Sequence, residues 1–165
     1  ENASKVNTVI FDKTGTLTYG KLKIAKVINY SSLEEKKLLQ LVGSIESRST
    51  HPIGKAFTDY LEENKIGVLD VHDFENVAGL GVSGKIDNEE ILLGNSKMLD
   101  KYDIPNKYLE DEKKLAEKGN SIIYAVRNKE IIALIGVNDI VREEAKEVIH
   151  NLEKQKIDTI MLTRW

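Results

Sequence analysis

Asp12 closes an apolar run, residues 5–11 (KVNTVIF), and opens a polar turn inside the string IFDKTGTLT. A loop outside the carboxyl end of a strand in an open α/β sheet is where ligands bind. A carboxylate in that place can accept a phosphoryl group, giving an aspartyl phosphate. The residues around it suit an anion. Gly15 permits a tight backbone approach, Thr14, Thr16 and Thr18 carry hydroxyls, and Lys13 brings a positive charge that eases a polyphosphate toward a carboxylate. An Asp at this place is also an ordinary turn former.

A second set of candidates lies downstream. Glu46 precedes His51 by five residues, and Pro52 follows at once in SIESRSTHPIGKAF. A His before a helix is ordinarily a solvated cap, although a neutral imidazole there can also stack on, or hydrogen-bond to, a purine. Gly79 and Gly81 form a G-x-G in GLGVSG, and Gly94-Asn95 ends LLGN; each alone reads as a turn or hairpin exit. Asp139 and Arg142 stand in GVNDIVREEAKEVIHNL, where Asp139 reads as the N-cap of the following helix. His72 reads as a loop residue and His150 as a helix-flank residue, neither with assigned chemistry, and the segment EDEKKLAEK as a solvated helix face.

The elements that must hold these residues follow from periodicity. Residues 5–11 read as a buried strand, and residues 22–29 (LKIAKVIN) alternate as a half-buried one. Ser32-Leu33-Glu34-Glu35 matches a capping box opening a helix to about Ile45. Ile53, Ala56, Phe57, Tyr60 and Leu61 make an amphipathic stripe after Pro52. GVSGKI and EILLGN flank a turn, as do SIIYAVR and EIIALIGV across Asn128-Lys129. Residues 96–102 and 106–118 read as helices, the second closed by Gly119. Residues 142–155 read as a helix and 157–162 as a buried strand, so the final strand–helix–strand carries the βαβ signature of a parallel sheet. The expected fold is α/β. It is a partial parallel sheet of Rossmann type, split by an inserted α+β domain whose antiparallel sheet is flanked by helices. The expected limits are residues 1–20 and 132–165 for the split domain and 21–131 for the insertion.

Composition narrows the class. The 165 residues are 41% hydrophobic and 31% charged, with net charge −3 and no long basic run, which argues against a nucleic-acid surface. The absence of cysteine excludes disulfides and thiolate metal sites. The longest apolar run, IIALIGV, is far short of the roughly 20 residues that span a bilayer, and the first residues lack a signal-peptide core.

DKTGTLT resembles the phosphorylation signature of the P-type ATPases, and the resemblance extends along nearly the whole chain. It implies a HAD-like phosphorylation domain in which Asp12 is phosphorylated from ATP, with Lys13 in the same loop. It implies that Thr14 helps hold Mg²⁺ and the phosphoryl group, so that Asp12 and Thr14 are an incomplete Mg²⁺ site. Thr163 matches the threonine of the family's Thr-Gly-Asp segment, which contacts the phosphoryl group, and Asp139 and Arg142 match its Asp-x-x-Arg hinge. The Glu, Ser-x-His-Pro, Gly-x-Gly and Gly-Asn series resembles the nucleotide-binding domain of the heavy-metal class, with Thr50 where many members carry an acidic residue. Glu46 and His51 are then expected to contact adenine, and Gly79, Gly81, Gly94 and Asn95 to line the nucleotide. The implied function is ATP-driven export of a metal cation, copper by family frequency, by a membrane protein of which this is a cytosolic portion. Its transmembrane and actuator domains are the expected partners.

The family pattern would continue past Thr163, whereas this chain reads Arg164-Trp165, out of pattern. The expectation is therefore ATP binding with poor phosphorylation of Asp12, and self-association through exposed sheet edges. Two other readings stand beside this one. A free-standing HAD-type phosphatase is disfavoured by Thr14 in place of a second aspartate. A nucleotide-binding regulatory module without catalysis is the other.

Overall fold

The long apolar strands at the chain's centre decide the architecture. In the computed structural model, which describes residues 6–162, the order is β1 (Thr8–Asp12), a single π-helical turn (Lys13–Leu17), β2 (Thr18–Asn29), α1 (Glu35–Glu46), α2 (Pro52–Glu63), β3 (His72–Val77), β4 (Gly81–Ile86), β5 (Glu89–Gly94), α3 (Ser96–Lys101), α4 (Leu109–Glu117), β6 (Ser121–Arg127), β7 (Glu130–Val141), α5 (Glu143–Lys154) and β8 (Asp158–Leu162). Two compact units result, one from residues 6–21 and 139–162 and the other from residues 22–138. The division falls at Asp139 because β7 keeps pairing with β6 as far as Val137.

The larger unit is built on a six-stranded antiparallel sheet of order β2-β7-β6-β5-β4-β3. Asp87-Asn88 and Asn128-Lys129 close its two tight hairpins with positive φ at both residues (52° and 64°, 49° and 64°), the conformation of a two-residue hairpin turn. Successive side chains leave opposite faces. Ile91, Leu93, Ile123, Ala125 and Ile135 join a core with Leu38, Val42, Ile45 and Phe57 of α1 and α2. Leu92, Tyr124, Val126 and Leu134 join a second core with Met98, Leu99 and Leu115 of α3 and α4. Helices cover both faces, which is why β7 reads as an unbroken apolar run instead of an alternating one.

The smaller unit holds a two-stranded parallel sheet, β1 against β8 in the register Thr8↔Asp158 to Asp12↔Leu162. The fold class is thus α/β, a parallel sheet interrupted by an antiparallel domain. The partner of β8 is β1, not β7. The strand before α5 is taken by the antiparallel hairpin, so the last three elements are not a βαβ unit. Nor are β1 and β8 buried: Ile10, Ile160, Met161 and Leu162 are 59%, 46%, 58% and 56% exposed.

Two further expectations are corrected. The capping box does not form; α1 starts at Glu35 with Glu34 as N-cap and no side-chain cap bond. Asn29 organises the entry instead, accepting from the Ser31 amide and hydroxyl at 2.9 and 2.7 Å and donating to the Leu33 carbonyl at 2.6 Å. His72 is not in a loop but opens β3, a strand whose polar sequence HDFENV gives no periodic signal.

Candidate functional site

The larger unit contains a cavity of about 270 Å³, near the lower end of the ~300–1,000 Å³ of ligand clefts. Its lining brings together Glu46, His51, Gly79, Gly81, Gly94 and Asn95, from segments separated by up to about half of the unit's chain length. Apolar walls come from Ile53, Val77, Leu80, Val82, Leu93, Ile122 and Ile123, and Ser49 and Asn76 add polar groups.

Each position has a local cause. Pro52 occupies the first turn of α2 and leaves His51 as N-cap, where its Nδ1 accepts from the Ile53 amide at 3.2 Å. The neutral imidazole therefore carries its proton on Nε2, on an exposed ring. The His51 amide in turn donates to Ser49 Oγ at 3.1 Å. Gly81 and Gly94 face each other in the β4–β5 pair. A Cβ on Gly81 would run into the Leu93 carbonyl oxygen, and one on Gly94 into the Leu80 carbonyl. The fold itself thus requires glycine at both places. Asn95 ties the loop down, its side-chain amide donating to the Gly79 carbonyl at 3.0 Å and its backbone amide to the Leu80 carbonyl at 2.9 Å.

Glu46 is the chemically unusual member. It is the last residue of α1 and only 6% exposed. Its carboxyl has no hydrogen-bond or ion-pair partner among the described residues. Desolvation by the surrounding apolar groups raises its pKa from 4.5 to about 7.

The smaller unit positions Asp12, half-buried at the carboxyl end of β1 and opposite Leu162. The π-helical turn after it places Lys13 half-exposed and Gly15 at φ 78°. Thr18 is fully buried; its Oγ1 lies 2.7 Å from Asp139 Oδ2, to which it donates, and accepts from the Gly15 amide at 3.1 Å. Its hydroxyl is therefore built into the turn, its one proton given to Asp139 and not to a bound ligand. Arg142 braces the same turn: its amide donates to the Leu17 carbonyl at 2.8 Å, its Nε to the Thr18 carbonyl at 3.0 Å, and its Nη2 to the Gly15 carbonyl at 3.3 Å. Its guanidinium also sits over the Tyr19 ring, 5.3 Å from the centroid. Arg142 is the N-cap of α5, so Asp139, within β7, is not that cap. The Thr14 side chain and Thr163 lie outside the described residues.

Among the described residues no three His, Asp or Glu side chains are grouped to hold a metal ion. Asp12 offers one carboxylate, which fits Mg²⁺ as that ion is usually held beside nucleotides, by one or two carboxylates with phosphate and water completing its shell. Sequence reasoning missed Asn76, because β3 reads as a loop, and the apolar lining, because a core strand and a cavity wall have the same pattern. It also missed Thr18 as a structural anchor.

The chain matches the family model of the haloacid dehalogenase-like hydrolases over residues 6–164. It is 32% identical over 165 residues to the probable copper-transporting P-type ATPase B of Staphylococcus aureus, covering 99% of this chain and 24% of that protein. It is also 32% identical to the copper-exporting P-type ATPase B of Archaeoglobus fulgidus, covering 99% and 23%. The chain thus spans about a quarter of the length of these curated relatives. Among solved structures, the catalytic domain of the CPx-ATPase CopB-B superposes with a TM-score of 0.66 at 29% identity, covering 97% of this chain and 55% of that one. A zinc-transporting PIB-type ATPase shares the fold with a TM-score of 0.82 at 24% identity, covering 96% and 26%. Taken with the strand-end aspartate and the split parallel sheet, this match means that the chain belongs to the haloacid dehalogenase-like hydrolases.

Proposed function

We propose that this chain is the ATP-handling catalytic segment of a copper-transporting P-type ATPase, the larger unit of residues 22–138 forming the nucleotide-binding domain and the residues that flank it part of the phosphorylation domain. The observation that supports it is the convergence of Glu46, His51, Gly79, Gly81, Gly94 and Asn95 on one apolar cavity with few polar groups. In this reading the cavity holds the adenine of ATP, with the exposed His51 ring as a stacking and hydrogen-bonding surface. Asp12 Oδ attacks the γ-phosphorus as the bond to the β–γ bridging oxygen breaks, giving an aspartyl phosphate and ADP. Lys13 and Thr14 belong to the acceptor loop, and Thr163 contacts the phosphoryl group. Asp139 and Arg142 keep that loop in shape. Mg²⁺, when bound, supplies charge neutralisation on the transferring phosphoryl group.

The copper assignment comes from the relatives, and so does the parent setting. The parent is a membrane protein with its own transmembrane and actuator domains, of which this segment is the cytosolic part. Among the described residues no helix is long and apolar enough to cross a membrane. Calorimetric titration of ATP into the 165-residue chain tests the reading. His51→Ala is expected to weaken ATP at least fivefold, in line with the loss of roughly 1 kcal/mol from one stacking or hydrogen-bonding group. Unchanged affinity would remove the assignment.

A further inference from the structure

The polar side chains around the cavity are unequally committed. Ser49 Oγ accepts from the His51 amide, His51 Nδ1 accepts from the Ile53 amide, and Asn95 Nδ2 donates to the Gly79 carbonyl. Each is tied to the backbone that shapes the wall. Asn76 also lines the cavity, yet its side chain makes no hydrogen bond or ion pair among the described residues. It is exposed, and its carboxamide offers two N–H donors and an acceptor oxygen without any charge.

Strand pairing fixes where that carboxamide stands. β3 is an edge strand of the six-stranded sheet; Asn76 lies opposite Val82, and Val82 opposite Leu93. Residues directly opposite one another share a face of the sheet. Val82 and Leu93 are buried members of the core that α1 and α2 cover, so Asn76 is on that face, at the outer end of their row. The row runs from a dry floor to a wet rim.

A nucleotide matches that gradient in one direction. Its planar base has apolar faces suited to the floor, its charged phosphates stay in water, and the sugar comes between them. A ribose carries two adjacent hydroxyls, each able to donate and to accept. One carboxamide meets both, Nδ2 donating to one hydroxyl oxygen while Oδ1 accepts from the other hydroxyl. Resting on the nucleotide reading of the cavity, we propose that Asn76 is a specificity residue that holds the 2′,3′-diol of the sugar, so that the cavity prefers ribonucleotides to nucleotides lacking those hydroxyls. The preference is modest, because neutral groups at a wet rim exchange protein bonds for water bonds. It amounts to about fivefold, the size of one net hydrogen bond.

Calorimetric titration of ATP and of 2′,3′-dideoxy-ATP into the 165-residue chain and its Asn76→Ala variant tests this. The two nucleotides share base and phosphates and differ only at the diol. The variant is expected to weaken ATP about fivefold and to leave 2′,3′-dideoxy-ATP unchanged, so that the preference of wild type for ATP falls by the same factor. A side chain with a structural role only would weaken both nucleotides alike. If Asn76→Ala weakens both alike, or neither, the sugar contact is overturned while the nucleotide site stands. If wild type binds neither nucleotide, both readings fall.

Discussion

A carboxyl group that ends a helix inside an apolar cavity carries a cost even before any ligand is considered. The folded-state pKa of Glu46, about 7, stands above the value of 4.5 for the free side chain. Below both values the group is neutral in both states and contributes nothing to pH dependence. As pH rises between them, the unfolded chain releases its proton while the folded chain keeps it, so stability falls. Above about pH 7 the penalty is complete, on the order of 3 kcal/mol for a shift of this size. Glu46→Gln is therefore expected to stabilise the protein at about pH 8 by up to that amount and to differ little near pH 4.5. Urea unfolding at a series of pH values checks this. A gap between variant and wild type that is flat in pH would mean that Glu46 is not desolvated. His51 shows the other side of residue-scale causes, since its place follows from Pro52 alone: a proline in the first helical turn leaves the preceding residue as cap.

At the scale of elements, the turn after β1 is held mainly by residues outside the motif's own aspartate. Thr18 bridges the turn to β7 through Asp139, and Arg142 reaches three carbonyls of residues 15–18 from the start of α5. Thr18→Val keeps the shape of the side chain and removes the hydroxyl. It is expected to cost about 1–3 kcal/mol, the penalty of taking one partner from a buried hydrogen bond, and to accelerate hydrogen exchange at the Gly15 amide. Thr18→Ser keeps the hydroxyl and is expected to leave that amide protected; equal exchange in both variants would show that the bond does not hold the turn.

These elements also show how far sequence patterning reaches. The hairpins at Asp87-Asn88 and Asn128-Lys129 were legible because tight turns demand particular residue types, and α2 because its stripe has a 3.6-residue period. The limits of α1 were not. Ser32 lies inside an Asn29-centred turn built on the Ser31 amide and hydroxyl, the Leu33 amide and the Leu33 carbonyl, and a capping motif does not reveal that such a turn delays the helix to Glu35. β3 was illegible because its residues are mostly exposed and polar, so no alternation exists to be read. Of the candidate site, the members with special types or spacing were visible, whereas Asn76 and the apolar walls became part of it only through the pairing of β3 with β4 and of β5 with β6.

Across the whole molecule, burial is distributed unequally. Both large apolar clusters lie within residues 22–138. The smaller unit buries Leu17, Thr18 and Ala145, yet leaves Ile10, Val148, Ile160, Met161 and Leu162 more than two-fifths exposed. The edges of the two sheets differ in the same sense. In the six-stranded sheet, β2 carries Lys23 and Lys26, and β3 has an irregular register between His72 and Glu75; charge and bulges both discourage pairing with another chain. β1 and β8 (TVIFD and DTIML) each carry a single aspartate, at opposite ends of their strands. Little apolar burial per hydrogen bond makes for local opening well below the global unfolding free energy. The amides of β1 and β8 are therefore expected to exchange at least tenfold faster than those of β5 and β6 in dilute solution. The open edges and apolar faces are also expected to bring copies together as concentration rises, with protection of β1 and β8 increasing in step. Hydrogen exchange read by mass spectrometry across a concentration series, beside sedimentation of the same samples, measures both. A chain that stays monomeric throughout, with β1 and β8 as well protected as β5 and β6, would show that two strands and one helix suffice to hold this unit closed.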